Sequence, residues 1–111
     1  MSDQYIKDAL SELMHRAHDN ATAKGFWEEP KAFAESIALM HSELSEALEA
    51  DRAGYPPSEK IPAFTGREEE LADAVIRICD VSRHHGLRLG EAILAKMAYN
   101  AGRPRKHGKA Y

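Results

Sequence analysis

The third of four helical segments most constrains how this chain can fold. Residues 66–85 read GREEELADAVIRICDVSRHH. Set at 100° intervals, Leu71, Ala72, Ala74, Val75, Ile76, Ile78, Cys79 and Val81 spread over roughly 220° of the helical wheel. A helix lying on the surface of a small bundle needs a narrower apolar stripe. This one needs cover on several sides, more than the rest of a 111-residue chain readily supplies. The expectation is all-α: a four-helix bundle-like protomer completed by oligomerisation, as a homodimer or homotetramer.

The other segments follow from apolar spacing and punctuation. Ile6, Leu10, Leu13, Met14, Ala17 and Ala21 recur at three and four residues, predicting a helix from about Asp3 to Lys24 that Gly25 breaks. Pro30 suits the first turn of a second helix, where its missing N–H costs nothing. That helix runs to about Arg52 through Phe33, Ile37, Met40, Leu44 and Leu48, and Gly54 stops it. Residues 54–64 are a proline-containing loop. Thr65 with Glu68 three positions later is a capping box for the third helix. A fourth starts near Gly90, uses Ile93, Leu94, Met97 and Ala101, and ends at Gly102-Arg103-Pro104. Residues 1–111 read as a single helical domain, with 103–111 a basic tail lacking apolar periodicity.

Charge and cysteine content narrow the function. The formal net charge is −3 with 30% charged residues, which speaks against a stable nucleic-acid complex. Cys79 is the only cysteine, so there is no disulfide framework and no cysteine zinc site. The polar start MSDQYIKDAL is not a signal peptide, and no apolar run reaches membrane-spanning length. A cytoplasmic setting without membrane contact is expected.

The acids carry the chemistry. Glu43 and Glu46 lie three apart on the second helix, and Glu70 and Asp73 repeat that spacing on the third, so each pair shares a face. If the two helices pack antiparallel, both pairs line one groove. Two like charges at 4 Å repel by about 4 kcal/mol at an effective dielectric of 20. Four such acids either raise their pKa values or hold a cation. Carboxylate oxygens alone, with no His or Cys among them, suit a hard ion, Mg²⁺ or Mn²⁺, which shares its shell with phosphates. The plainer alternative is that each pair is a solvated helix face.

HSELSEALEA, EELADAVIRICD and KMAYNAGRPRKHGKAY, taken in order over about residues 25–111, resemble the MazG-like all-α nucleoside triphosphate pyrophosphatases. The ELSE and ELAD blocks match the ExxE…ExxD arrangement of that family. The resemblance implies Mg²⁺-dependent cleavage of a nucleoside triphosphate to the monophosphate and pyrophosphate, in nucleotide pool cleaning. It implies Glu43, Glu46, Glu70 and Asp73 as metal-binding acids, with Glu46 as the candidate catalytic base. Lys96 and Asn100, one turn apart on the fourth helix, and Arg103 in the NxxRP context are implied phosphate contacts. Arg105, Lys106, His107 and Lys109 are weaker candidates for closing over the triphosphate. Attack at either the α or the β phosphorus gives the family's products.

Other residues carry competing readings. Trp27, or Phe26 beside it, stacks on a nucleobase or else staples the first two helices. His41 reads as a packed core histidine. Asp80 joins the acid site or pairs with Arg77 or Arg83. Two other functions stand beside the hydrolase. A carboxylate-bridged di-iron bundle wants two Glu-x-x-His pairs, and Glu12 with His15 is the single candidate. A non-catalytic helical module that binds nucleotides or a partner is compatible with the composition.

Overall fold

Glycine and a side-chain cap set the helix ends where the sequence places them. The computed structural model describes residues 1–110; Tyr111, the last residue of the basic tail, lies outside the described residues. The helices are α1 (Asp3–Ala23), α2 (Phe33–Arg52), α3 (Gly66–His84) and α4 (Leu89–Ala101), followed by a short turn at Arg105–Gly108. No strand occurs among the described residues. Gly54 and Gly86 take positive φ, +86° and +67°, a conformation open to glycine at little cost after a helix end.

α3 begins with the capping box read from the sequence. The Thr65 hydroxyl accepts from the Glu68 N–H, and the Glu68 carboxylate accepts from the Thr65 N–H at 3.0 Å. Those bonds hold the Glu68 carboxyl below the usual carboxylate range. Replacing Thr65 with Ala removes the cap and should lower Tm by about 5 °C, checked by thermal circular dichroism.

α2 starts three residues later than Pro30 suggests. Ala32, the residue before α2, is extended, so Pro30 stands outside the helix. The cause is tertiary: Trp27 is drawn onto α3, and the chain between Trp27 and Phe33 spans that distance without coiling. Trp27 stacks on His84 with ring centroids 3.6 Å apart and planes 9° from parallel. Its indole N–H donates to Asp80 Oδ1 at 2.9 Å. Trp27 therefore fastens its segment to α3, whereas the sequence suggested a staple between α1 and α2.

α3 is the central helix, with α2 and α1 packed against it and α4 packed against α1. Three contacts fix the direction of α2 against α3. Asp51 pairs with Arg67, Ala50 lies beside Gly66, and Glu43 pairs with Arg77, so numbers rise along one helix as they fall along the other. The pair is antiparallel. A side chain at Gly66 would bring a Cβ to 3.1 Å from that of Ala50, so glycine permits the close approach at this end. The core holds Met14, Ala74, Cys79 and Val81. Burial raises the Cys79 thiol above its usual range, consistent with an inert packing residue.

Much of the apolar surface stays open. Leu44 and Leu48 of α2, Leu71 and Val75 of α3, and Met97 of α4 are each half exposed or more. His41 is exposed as well, contrary to the core position expected for it, because its side of α2 has no covering helix. The radius of gyration, 16.3 Å, exceeds the roughly 13 Å of a compact domain of this length. No helix among the described residues is long and apolar enough to cross a membrane.

Candidate metal centre

The antiparallel α2–α3 pair brings the four sequence-selected acids to one groove. Glu43, Glu46 and Glu70 each offer a carboxylate oxygen within 4.8 Å of the others. Glu69, Glu70 and Asp73 form a second such group. Glu70 belongs to both and joins the two helices' acids into one run. Its Oε2 is buried and has no hydrogen-bond partner among the described residues. An orphaned carboxylate oxygen facing other carboxylates is costly unless a proton or a cation meets it.

The electrostatics follow from this geometry. Burial, then the adjacent Glu46 carboxylate, push the Glu70 carboxyl up to about 7. Burial, then the charges of Glu43 and Glu69, also raise Asp73. The native state thus holds the Glu70 proton to about pH 7, while an unfolded chain releases it near 4.5. That contribution to stability is complete below pH 4.5 and is lost as the pH climbs through 7. Without metal, Tm should therefore fall between pH 5 and 8. Mg²⁺ binding in that window should expel a proton, visible as a binding heat that changes with the buffer's ionisation enthalpy.

Two cations border the acids. Arg77 Nη2 donates to Glu43 Oε1 at 2.9 Å, with the Glu43 side chain 12% exposed. Lys60 Nζ lies 3.9 Å from Glu69 Oε2. Lys60 is placed by its loop. The Ser58 hydroxyl donates to Glu69 and accepts from the Lys60 and Ile61 N–H groups. The Ser58 N–H donates to the Phe64 carbonyl, closing residues 58–64 over the start of α3.

A cavity of about 250 Å³ opens beside the acids, between α1 and α3. Ala17, Ala21, Phe26 and Ile76 form its apolar wall. Glu43, Asp73, Arg77 and Asp80 run along its polar side, and Asn20 and Lys31 also line it. Asp80 is 14% exposed, and its Oδ1 accepts from both His18 Nδ1–H, at 2.8 Å, and Trp27. Asp80 thus pairs with neither Arg77 nor Arg83; its partners come from α1 and the α1–α2 connection. Burial and the neighbouring His85 and His18 push His84, the ring stacked on Trp27, below the usual imidazole range.

Of the remaining candidates, Phe26 lines the cavity, and Trp27 is held on α3 by His84 and Asp80. Lys96 and Arg103 both lie over the Tyr99 ring on the α4 side, and Asn100 Oδ1 is buried without a partner among the described residues. α4 packs on α1, and none of these three lines the acid cavity. Arg105, Lys106, His107 and Lys109 are exposed. Glu12 bonds Arg16 and His15 pairs with Asp19, both on the outside of α1.

Three residues at this site were missed in the sequence. Glu69 and Arg77 stand four residues before and after Asp73, a spacing that shares a helix face and could have flagged both. Nothing local pointed to His18, since only the packing of α1 on α3 brings it to Asp80. Comparison with known proteins adds no relative: no family model, no curated protein and no solved structure matches the chain.

Proposed function

We propose that the chain is a Mg²⁺-dependent nucleoside triphosphate pyrophosphohydrolase, releasing the nucleoside monophosphate and pyrophosphate. The observation that carries this reading is the buried, partnerless Glu70 Oε2 among carboxylates from two helices. The all-oxygen donor set fits a hard cation, Mg²⁺ or Mn²⁺, held by Glu43, Glu46, Glu70 and Asp73. When bound, such an ion shields phosphate charge and makes water a better nucleophile.

The chain's own residues do the rest. Glu46, the most exposed of the Glu43, Glu46 and Glu70 group, accepts the proton of the attacking water. Arg77 holds Glu43 in place through its 2.9 Å bond. The oxygen bridging to pyrophosphate departs with its bonding pair, and Lys96, Asn100 and Arg103 receive the negative charge that develops there. Lys96 and Asn100 stand on α4 and Arg103 just past its end, none of them lining the acid cavity of their own protomer, so the complete site is shared between subunits of a homodimer or homotetramer. The half-exposed Leu44, Leu48, Leu71, Val75 and Met97 provide the apolar surface for that pairing. The ordinary role of such an activity is clearance of unwanted nucleotides.

Product analysis by ion exchange tests the reading. Monophosphate and pyrophosphate should appear with Mg²⁺ and disappear with EDTA. Diphosphate with orthophosphate would show a different bond cleaved, and no turnover of any triphosphate would favour a nucleotide-binding module instead. Sharing of the site has its own check. An equal mixture of inactive Glu70→Gln and Arg103→Ala proteins should regain about a quarter of wild-type activity, by random assortment of subunits; two variants that remain inactive together would place α4 outside the site.

A further inference from the structure

The polar side of the cavity beside the acids has a pattern more specific than phosphate chemistry requires. Arg77 and Asp80 are three residues apart on α3 and share its face, yet each is held by a different neighbour. Arg77 uses one Nη2 N–H on Glu43 and its Nε–H is buried, so the N–H groups left for a ligand are those of Nη1 and the second of Nη2. Asp80 uses Oδ1 for both His18 and Trp27, which leaves Oδ2 as the acceptor available to a ligand. A fork of N–H donors and a carboxylate oxygen therefore line the same cavity, with the Phe26 ring on its apolar wall. Along α3, Asp80 stands about 10 Å beyond Asp73, the scale of a nucleoside reaching from its phosphate to the far edge of its base.

We infer that this cavity selects guanine, with Arg77 taking the O6 and N7 acceptors and Asp80 taking the N1–H and N2 amino donors. This rests on the nucleotide hydrolase reading of the same site. Guanine presents two adjacent acceptors for a guanidinium fork and two adjacent donors for a carboxylate. Adenine offers one amino group beside lone acceptors, leaving Arg77 or Asp80 partly unpaired. Cytosine offers a single amino donor, and uracil a single N–H between two carbonyls. A buried polar group left without its partner discriminates far more strongly than a change in apolar fit. The Phe26 ring gives the base a face to rest on.

The test is isothermal titration of guanosine, inosine, adenosine, cytidine and uridine 5′-monophosphates with Mg²⁺, run beside turnover of the matching triphosphates. Guanosine should bind roughly tenfold tighter or more than adenosine, cytidine or uridine. Inosine, lacking the N2 amino group, should fall between. Arg77→Lys keeps a cation beside Glu43 but loses the fork, and should bring the bases to near-equal affinity. In Asp80→Asn the amide oxygen stays with the Trp27 N–H, and the amide NH₂ replaces Oδ2. Preference should then move from guanosine to xanthosine monophosphate, whose O2 carbonyl accepts from that NH₂, a switch that loss of packing alone would not produce. Equal binding of all bases by wild-type protein, with turnover intact, would overturn the guanine assignment and leave the hydrolase reading standing. Guanine-selective binding without turnover would do the reverse.

Discussion

Replacing Glu70 with Gln should abolish Mg²⁺-dependent hydrolysis and at the same time make the metal-free protein more resistant to heat. The two effects share one cause. Glu70 sits between Glu46 and Asp73 with its Oε2 buried and unpartnered, and its carboxyl titrates at about 7. At pH 8 it is charged among charges. A neutral amide of the same shape removes that repulsion, and Tm at pH 8 should rise by about 4 °C, the equivalent of roughly 1 kcal/mol. At pH 5, where the native carboxyl is already protonated, the gain should vanish. Residues that merely support a metal ligand cost 10- to 100-fold in affinity or activity when removed, so losing a ligand should cost at least about 100-fold in kcat/KM. Thermal melts at the two pH values with a Mg²⁺ titration check all of this. A variant both less stable and fully active would break the link between the acids and the metal.

Trp27→Ala should be the most destabilising single change. The ring stacks on His84, and its N–H is one of two donors to the Asp80 Oδ1. Truncating a packed aromatic costs about 3 kcal/mol or more, and leaving Asp80 short of a donor adds to it, so Tm should drop by about 12 °C or more. Trp27→Phe keeps a ring against His84 but not the N–H, and should recover roughly half of the loss. Equal damage from both would mean that the bond to Asp80, rather than the stack, holds the α1–α2 connection on α3. Intrinsic fluorescence gives a second readout, because Trp27 is the chain's single tryptophan.

The parts legible in the sequence were those governed by short-range periodicity. Three-residue spacing put Glu43 with Glu46 and Glu70 with Asp73, and antiparallel packing of consecutive helices then brought the pairs together. The Thr65–Glu68 cap is likewise a matter of four residues and local bonds. The parts not legible depend on which element covers which. Pro30 has every local reason to sit in a first helical turn, yet the pull of Trp27 on α3 keeps it outside. His41 shares a wheel position with apolar neighbours, but no helix of the protomer covers that side. Glu69 and Arg77 were visible as neighbours of Asp73; what hid them was that runs of charge on a helix are usually solvated. Lys96 and Asn100 could be placed on a helix and Arg103 just after it, but the choice of α1 as the partner of α4 follows from packing that no local pattern encodes.

Direct metal binding is the measurement that bears hardest on the site. Mn²⁺, a paramagnetic stand-in for Mg²⁺, can be titrated into wild-type and Glu70→Gln protein and the free ion followed by its electron spin resonance signal. Saturable binding to the wild-type chain, displaced by excess Mg²⁺, weakened below pH 7 and lost in the variant, is the expected result. Free Mn²⁺ that rises in step with the amount added to wild-type protein at pH 8 would contradict it, and would return the four carboxylates to the role of a solvated helix face.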